Sequence, residues 1–219
     1  MIKNKKLKRR IVSISYKYKL AHIGSCLSAV DIIADIYEKM QKRNESFVLS
    51  CGHAGLALYV VLEKFKGKNA EKLWLHHGTH PDKCDKCGIA VSSGSLGHGI
   101  GISVGMAMAD KTRKVHCLLS DGEMSEGSVL ESLRIAASLD LTNLNVYVNW
   151  NGYGAYKTTG TNNNYDGLGV LFNTKAYSNL RIWFEETTMN DYPLWLQGQI
   201  AHYKVLNEQE YNELMELLK

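Results

Sequence analysis

Asp121 and Asn151 are the residues of this sequence best suited to chemistry. Each follows an apolar run and opens a turn-forming dipeptide, in Ser120-Asp121-Gly122-Glu123 and Asn149-Trp150-Asn151-Gly152-Tyr153-Gly154. A carboxylate and an amide oxygen, with a backbone carbonyl close by, are the hard donors Mg²⁺ or Ca²⁺ prefers when it also holds phosphates. Gly122 lets an anion approach the backbone closely, and amides opening a helix near Ser125 and Glu126 suit the same charge. Asp-Gly or Asn-Gly alone is an ordinary turn. Their pairing across one strand, helix, strand unit is what points to an anion-and-cation site.

Histidine forms the second set. Of the eight histidines, His22 lies in Ala-His-Ile-Gly-Ser, His53 in Ser-Cys-Gly-His-Ala-Gly, His80 in Thr-His-Pro-Asp and His202 in Ala-His-Tyr-Lys. An imidazole with an unperturbed pKa of about 6.5 can donate or accept a proton near neutral pH. His76, His77 and His116 read as surface or satisfied core groups. Cys84-Asp85-Lys86-Cys87, with His77 and His80 upstream, has ligand types that tetrahedral zinc accepts. The second cysteine pair of a zinc ribbon is missing, so the expectation is that these cysteines are not a structural zinc site. A redox role is weaker still, because thioredoxin-type pairs open a helix after a strand and this pair falls in an expected loop.

The elements that must position these residues alternate in period. Residues 115–119 and 144–148 read as strands around a helix at 129–139, a βαβ unit whose carboxyl ends carry the Asp121 and Asn151 turns. Further strands are expected at 47–50 and 180–184, and helices at 54–65, 70–75, 96–109 and from Asn207, which pairs with Glu210 in a capping-box-like start. Ser28 is expected to cap a helix carrying Val30, Ile32, Ile33, Ile36 and Tyr37, with Asp31 at its acidic position. Leu7, Ile11, Ile14 and Tyr18 make an apolar stripe through the basic N-terminal run, giving an amphipathic helix with a solvated basic face. With no Pro/Gly/Ser-rich linker and no repeat, residues 1–219 read as a single α/β domain: doubly wound, with a mostly parallel sheet and helices on both faces.

Composition excludes several classes. The 219 residues are 45% hydrophobic and 22% charged with 2 prolines, unlike disordered, collagen-like or coiled-coil chains. No apolar run approaches the roughly 18 to 20 residues of a membrane span, no signal-peptide pattern opens the chain, and the five cysteines fit a reducing compartment. Cytoplasmic residence without a membrane partner is the expectation. The net charge of +4 comes from the front of the chain, and no nucleic-acid motif accompanies it.

Together these motifs resemble the thiamine-diphosphate enzymes, whose metal motif begins Gly-Asp-Gly and ends in Asn about thirty residues on. Asp121-Gly122-Glu123-Met124-Ser125-Glu126-Gly127 and Gly94-Ser95-Leu96-Gly97-His98-Gly99 resemble the transketolase version, and the four histidine motifs fit the same family. The resemblance covers residues 7–155 and resumes near 202–217. Departures are Ser120 for the first glycine of the metal motif, Ile23 after His22, Ser95 where some members have proline, and a short segment before His202.

What the resemblance implies is the diphosphate-binding domain of the thiamine-diphosphate-binding fold. Asp121, the Asn151 side chain and the Tyr153 carbonyl would hold Mg²⁺ (or Ca²⁺), with Asn151 thereby also binding cofactor. His53, Gly122 and His202 would hold the diphosphate, and Gly94, Ser95 and Leu96 the aminopyrimidine ring. His22, His80 and His202 would be catalytic, lining the substrate channel. His80, claimed by this motif, is then unavailable to zinc. Glu126 reads either as a first-turn acid favoured by the helix dipole or as part of a carboxylate network at a subunit interface.

Such enzymes also need a pyrimidine-binding domain with an activating glutamate. That domain is expected to be absent from this chain and supplied by a second transketolase subunit, in a heterotetramer of two plus two chains. The reaction implied is transfer of a two-carbon ketol unit between sugar phosphates, inactive without the partner. An uncovered apolar surface around Leu96, Met124 and the 129–139 helix is expected to meet it. Two alternatives stand beside this: the metal-binding subunit of a 2-oxoacid dehydrogenase, which the Asn151 motif also suits, and a non-catalytic partner or zinc-binding module that kept the fold.

Overall fold

The computed structural model describes residues 2–40, 45–154, 157–159 and 178–219. Its centre is a parallel sheet of β1 (Ser46–Leu49), β2 (Val115–Ser120), β3 (Leu144–Trp150) and β4 (Arg181–Glu186), in the order β1-β2-β3-β4. β2 is buried along its whole length, as expected of an interior parallel strand covered on both faces. Side-chain alternation divides the core. Phe47, Leu49 and Leu118 face helices α1 (Lys5–Tyr18), α2 (Ile23–Lys39) and α3 (Gly55–Lys66), whereas Val48, Cys117, Leu119, Val146 and Val148 face α5 (His98–Ala109) and α6 (Gly127–Ser138). The helices therefore lie on both faces, as the sequence implies. Because the described strands follow one another without reversal, the site is set by the carboxyl ends of β1, β2 and β3.

α4 (Ala70–His77) follows α3, its N-cap Asn69 accepting from the Lys72 amide at 2.8 Å. The closing helix α7 (Glu208–Leu217) has the expected reciprocal capping box between Asn207 and Glu210. It packs on α1 through stacked Tyr16 and Tyr211 rings 4.3 Å apart and a 2.7 Å bond from Arg9 to the Met215 carbonyl.

Three local expectations need correction. Ser28 is no cap: α2 begins at Ile23, and the Ser28 hydroxyl, inside the helix, bonds to the Ser25 carbonyl and accepts from Asn149 at 2.9 Å. The basic face of α1 is not wholly solvated, since Lys8 is buried against Asp31 of α2 at 2.6 Å. Met124, Val129 and Leu133 are core residues, so the apolar surface expected around Met124 and α6 is not there. Ile102 and Met108 on α5, 43% and 48% exposed, and Leu139 are the large apolar side chains left open in that region.

Candidate functional site

The site is built from the turns at the carboxyl ends of the strands. β2 ends at Ser120, and the next residue, Asp121, is completely buried. Its Oδ1 accepts from the Gly122 amide at 2.9 Å, and its Oδ2 from the Gly152 amide and the Thr159 hydroxyl at 2.7 Å each. The turn after β3 thus wraps the carboxylate that ends β2. Asn151 Oδ1 accepts from the Tyr153 amide at 2.9 Å, which orients the amide side chain and the Tyr153 peptide together. A cavity of about 430 Å³ opens beside Asn151, Gly152 and Tyr153, bounded across by Thr187 and Gly198.

Burial raises the Asp121 carboxyl above its ordinary range, against the pull of the Thr159, Gly152 and Gly122 donors. A bound cation would reverse that shift. Asp121, the Asn151 amide oxygen and the Tyr153 carbonyl form an all-oxygen donor set that suits Mg²⁺ or Ca²⁺. By donor chemistry the residues fit the ion.

Across the same edge the histidines converge. His53 sits in the short 3-10 turn Gly52–Ala54 that follows β1. His22 occupies the N-cap position of α2 in the left-handed region at φ 61°, without a side-chain capping bond, and its amide donates to the His202 carbonyl at 3.0 Å. Ring centroids are 5.6 Å apart for His22 and His53, 4.6 Å for His22 and His202, and 5.9 Å for His53 and His202. Burial, then His202 and His80, push His22 down to about 4. Burial, then His22, His202 and His80, push His53 down to about 3. Burial also lowers His202. The rings are therefore neutral at physiological pH, and His22 Nδ1 is buried with no hydrogen-bond partner among the described residues.

His80 is exposed and stands at the mouth of this group, against Gly94, where a Cβ would lie 3.2 Å from its ring. Gly94, Ser95 and Leu96 are in the loop before α5. Ser95 is exposed with Oγ 3.5 Å from His98 Nε2, and Leu96 is half-buried. Gly52 packs on this loop so closely that a Cβ would fall 2.7 Å from the Gly94 nitrogen. The expected residues fall in two groups, the Asp121, Gly122, Asn151 and Tyr153 turns and the His22, His53, His80 and His202 cluster with the Gly94 loop, which meet where Asn151, Tyr153 and His202 line one small cavity.

Sequence reasoning missed the part played by Glu123. Its buried carboxylate accepts from the Ser50 hydroxyl at the end of β1, from the Gly97 amide at 2.7 Å and from the Ser120 amide at 3.3 Å. One side chain thereby ties β1, the Gly94 loop and the Asp121 turn together, and burial raises its carboxyl too. Glu126 is exposed at the start of α6. The four residues weighed as zinc ligands do not come together: His77 Nε2 is 3.3 Å from Cys87 Sγ while His80 is turned to Gly94, and Cys84 and Cys87 are disulfide-bonded.

An α/β domain with an oxygen-donor turn pair and a histidine cluster at its strand ends is the class the geometry defines. Comparison with known proteins specifies it further. The profile described as "Transketolase, thiamine diphosphate binding domain" matches residues 7–163, and the chain belongs to the transketolase family. It is 34% identical over 162 residues to one of the subunits of apulose-4-phosphate transketolase from Phocaeicola vulgatus, covering 65% of this chain and 57% of that protein. It is 35% identical over 153 residues to human transketolase, covering 61% of this chain and 24% of that protein. The chain thus spans little more than half of one relative and a quarter of the other. The transketolase structure from Campylobacter jejuni superimposes over 98% of this chain and 42% of its own with a TM-score of 0.77 at 20% identity, a likeness of fold. Among the described residues no helix is long and apolar enough to cross a membrane.

Proposed function

We propose that this chain is the thiamine-diphosphate- and Mg²⁺-binding subunit of a two-component transketolase, moving a two-carbon ketol unit from a sugar phosphate donor to an aldose acceptor. The observation that carries the reading is that His22, His53 and His202 converge and that His202 lines one small cavity with Asn151 and Tyr153. The Phocaeicola relative, itself named as a subunit of a transketolase, supports the two-component form. The histidine cluster favours sugar hydroxyls over the 2-oxoacid alternative, since neutral imidazoles both give and take hydrogen bonds.

Asp121, the Asn151 side chain and the Tyr153 carbonyl would hold the metal, whose charge would offset that of the diphosphate. His53, His202 and the Gly122 amide would hold that group from the protein side, with the Gly94, Ser95 and Leu96 backbone supporting the aminopyrimidine. Thiamine diphosphate, when bound, supplies the nucleophilic carbon and the electron sink for breaking the bond beside a ketose carbonyl. The half-buried, neutral His22 ring would hydrogen-bond a substrate hydroxyl without bringing a charge to it. His80 at the rim and His202 bind hydroxyls farther along the sugar.

The partner chain would supply the pyrimidine-binding domain and the activating glutamate, in a complex of two plus two chains. The exposed Ile102 and Met108 of α5 are apolar surface on which such a partner can rest. The test is to assay two-carbon transfer from a ketose phosphate with saturating cofactor and Mg²⁺, using this chain alone and mixed with a chain carrying a pyrimidine-binding domain. Activity only on mixing is expected. Full turnover from a preparation shown by mass spectrometry to hold no second polypeptide would overturn the two-component reading.

A further inference from the structure

We propose that the reduced form of the turn Cys84–Gly88 binds one zinc-class cation through Cys84 Sγ, Cys87 Sγ and His77 Nε2, leaving a fourth position to water. These three groups are half-buried and their ligand atoms lie within 4.8 Å of one another. Sulfur and imidazole nitrogen in a tight cluster select zinc over the oxygen-seeking Mg²⁺ of the neighbouring site. Two thiolates, one imidazole and water complete a tetrahedron.

The backbone around the pair is shaped for metal. Cys84 and Ile89 form an antiparallel bridge, with N–H to carbonyl bonds of 2.9 and 3.0 Å in the two directions. The chain reverses between them through Gly88 at φ 84°, a conformation that suits glycine. Within the turn, the Cys87 amide donates to Cys84 Sγ at 3.2 Å. An amide aimed at sulfur stabilises a thiolate, which is the ligating form. The imidazole comes from a different element, the end of α4, and its placement is supported: Tyr59 stacks on the His77 ring at 6.1 Å while its hydroxyl donates to the Gly78 carbonyl at 3.0 Å. A rigid two-sulfur turn met by a held histidine is more than the Cys-x-x-Cys spacing conveys.

The two sulfurs form a disulfide in the structure, so loading requires its reduction. The S–S bond takes two electrons and two protons from a dithiol reductant, which is itself oxidised to a disulfide, and binding of Zn²⁺ then releases the two thiol protons. The consequence reaches the neighbouring site. The loop bearing this turn is closed at its base by a 2.9 Å bond from the Ser93 amide to the Pro81 carbonyl, immediately between His80 and Gly94. A metal at the tip would fasten the loop that carries both.

The experiment uses the full chain, reduced anaerobically, freed of reductant and titrated with Co²⁺ and Zn²⁺ without diphosphate. One Co²⁺ per chain with a thiolate-to-metal charge-transfer band is expected, displaced by Zn²⁺, with no such band from oxidised protein. Cys87→Ser should abolish the band. His77→Ala should weaken affinity by at least the roughly tenfold to hundredfold that loss of a metal ligand's supporting partner costs. Because Cys26, Cys51 and Cys117 are buried, alkylation of reduced wild-type protein gives a second test that does not depend on variants folding: Zn²⁺ should protect Cys84 and Cys87, and alkylated protein should take up no metal. Absence of stoichiometric uptake by reduced protein, uptake without a thiolate band, or affinity unchanged in His77→Ala would overturn the proposal.

Discussion

The Gly97 amide donates a 2.7 Å hydrogen bond to the Glu123 carboxylate, coupling the loop proposed to carry the aminopyrimidine to the turn that carries Asp121. The same carboxylate takes the Ser50 hydroxyl and the Ser120 amide. Glu123→Gln would turn an amide NH₂ toward these donors and leave at least one unpaired. A loss of about 1–3 kcal/mol is expected in urea denaturation, together with weaker cofactor binding by the folded variant. Stability within about 0.5 kcal/mol of wild type would show that the carboxylate does not tie the loops.

Gly52→Ala should be damaging where Gly105→Ala is harmless. A Cβ at Gly52 would fall 2.7 Å from the Gly94 nitrogen and 2.8 Å from the Ser93 carbonyl carbon, backbone that cannot rotate away, whereas nothing lies within 4 Å of a Cβ at Gly105 in α5. The expected cost at Gly52 is about 1–3 kcal/mol. A gain of about 0.5–1 kcal/mol is expected at Gly105, where alanine is the better helix former. Thermal denaturation of both variants checks the contrast.

The histidine cluster predicts acid sensitivity. His22 and His53 are lowered to about 4 and about 3, whereas the unfolded chain protonates histidine near 6.5. Below about 6.5 the unfolded state takes up protons that the folded state refuses, so stability falls as pH drops toward 4 and is untouched above 7. Asp121 and Glu123, raised by burial, act with the opposite sign at the acid end, so the comparison must be between wild type and His53→Asn. Denaturation between about pH 7 and pH 5 should show a shallower fall in the variant, by up to about 1.4 kcal/mol per pH unit. Equal slopes would contradict the neutral assignment of His53.

Ile102→Glu should leave the isolated domain as stable as wild type, because the side chain is 43% exposed, yet impair association with a partner chain. Size-exclusion chromatography of the mixture reads this directly. An unimpaired complex would place the interface elsewhere.

Much of this site was legible in the sequence because its residues sit where strands end. Asp121 and Asn151 follow runs whose burial on both faces makes strands unmistakable, and the parallel pairing of β2 with β3 brings the two turns together. Ser28 misled because a local capping pattern cannot reveal that α2 has already begun at Ile23, where His22 is held by the His202 carbonyl. Lys8 belonged by spacing to a solvated face, and only the approach of Asp31 from α2 buries it. Glu123 reads as one more acid in a motif until Ser50 and Gly97, distant in sequence, arrive at its oxygens. For the cysteine pair the sequence offers both His77 and His80, and only the fold brings His77, at the end of α4, to 3.3 Å from Cys87 Sγ.

Asp121 and Asn151 are proposed to hold thiamine diphosphate through a cation. Calorimetric titration of thiamine diphosphate into wild type, Asp121→Ala and Asn151→Ala, each with and without Mg²⁺ and each checked for folding by circular dichroism, tests it most directly. Binding by wild type should depend on Mg²⁺, and affinity should be lower by at least about a hundredfold in folded Asp121→Ala, since removal of a buried charged partner costs about 3 kcal/mol or more, and lower also in Asn151→Ala, which loses a neutral, half-buried oxygen donor. Tight, Mg²⁺-independent binding by folded Asp121→Ala would contradict it.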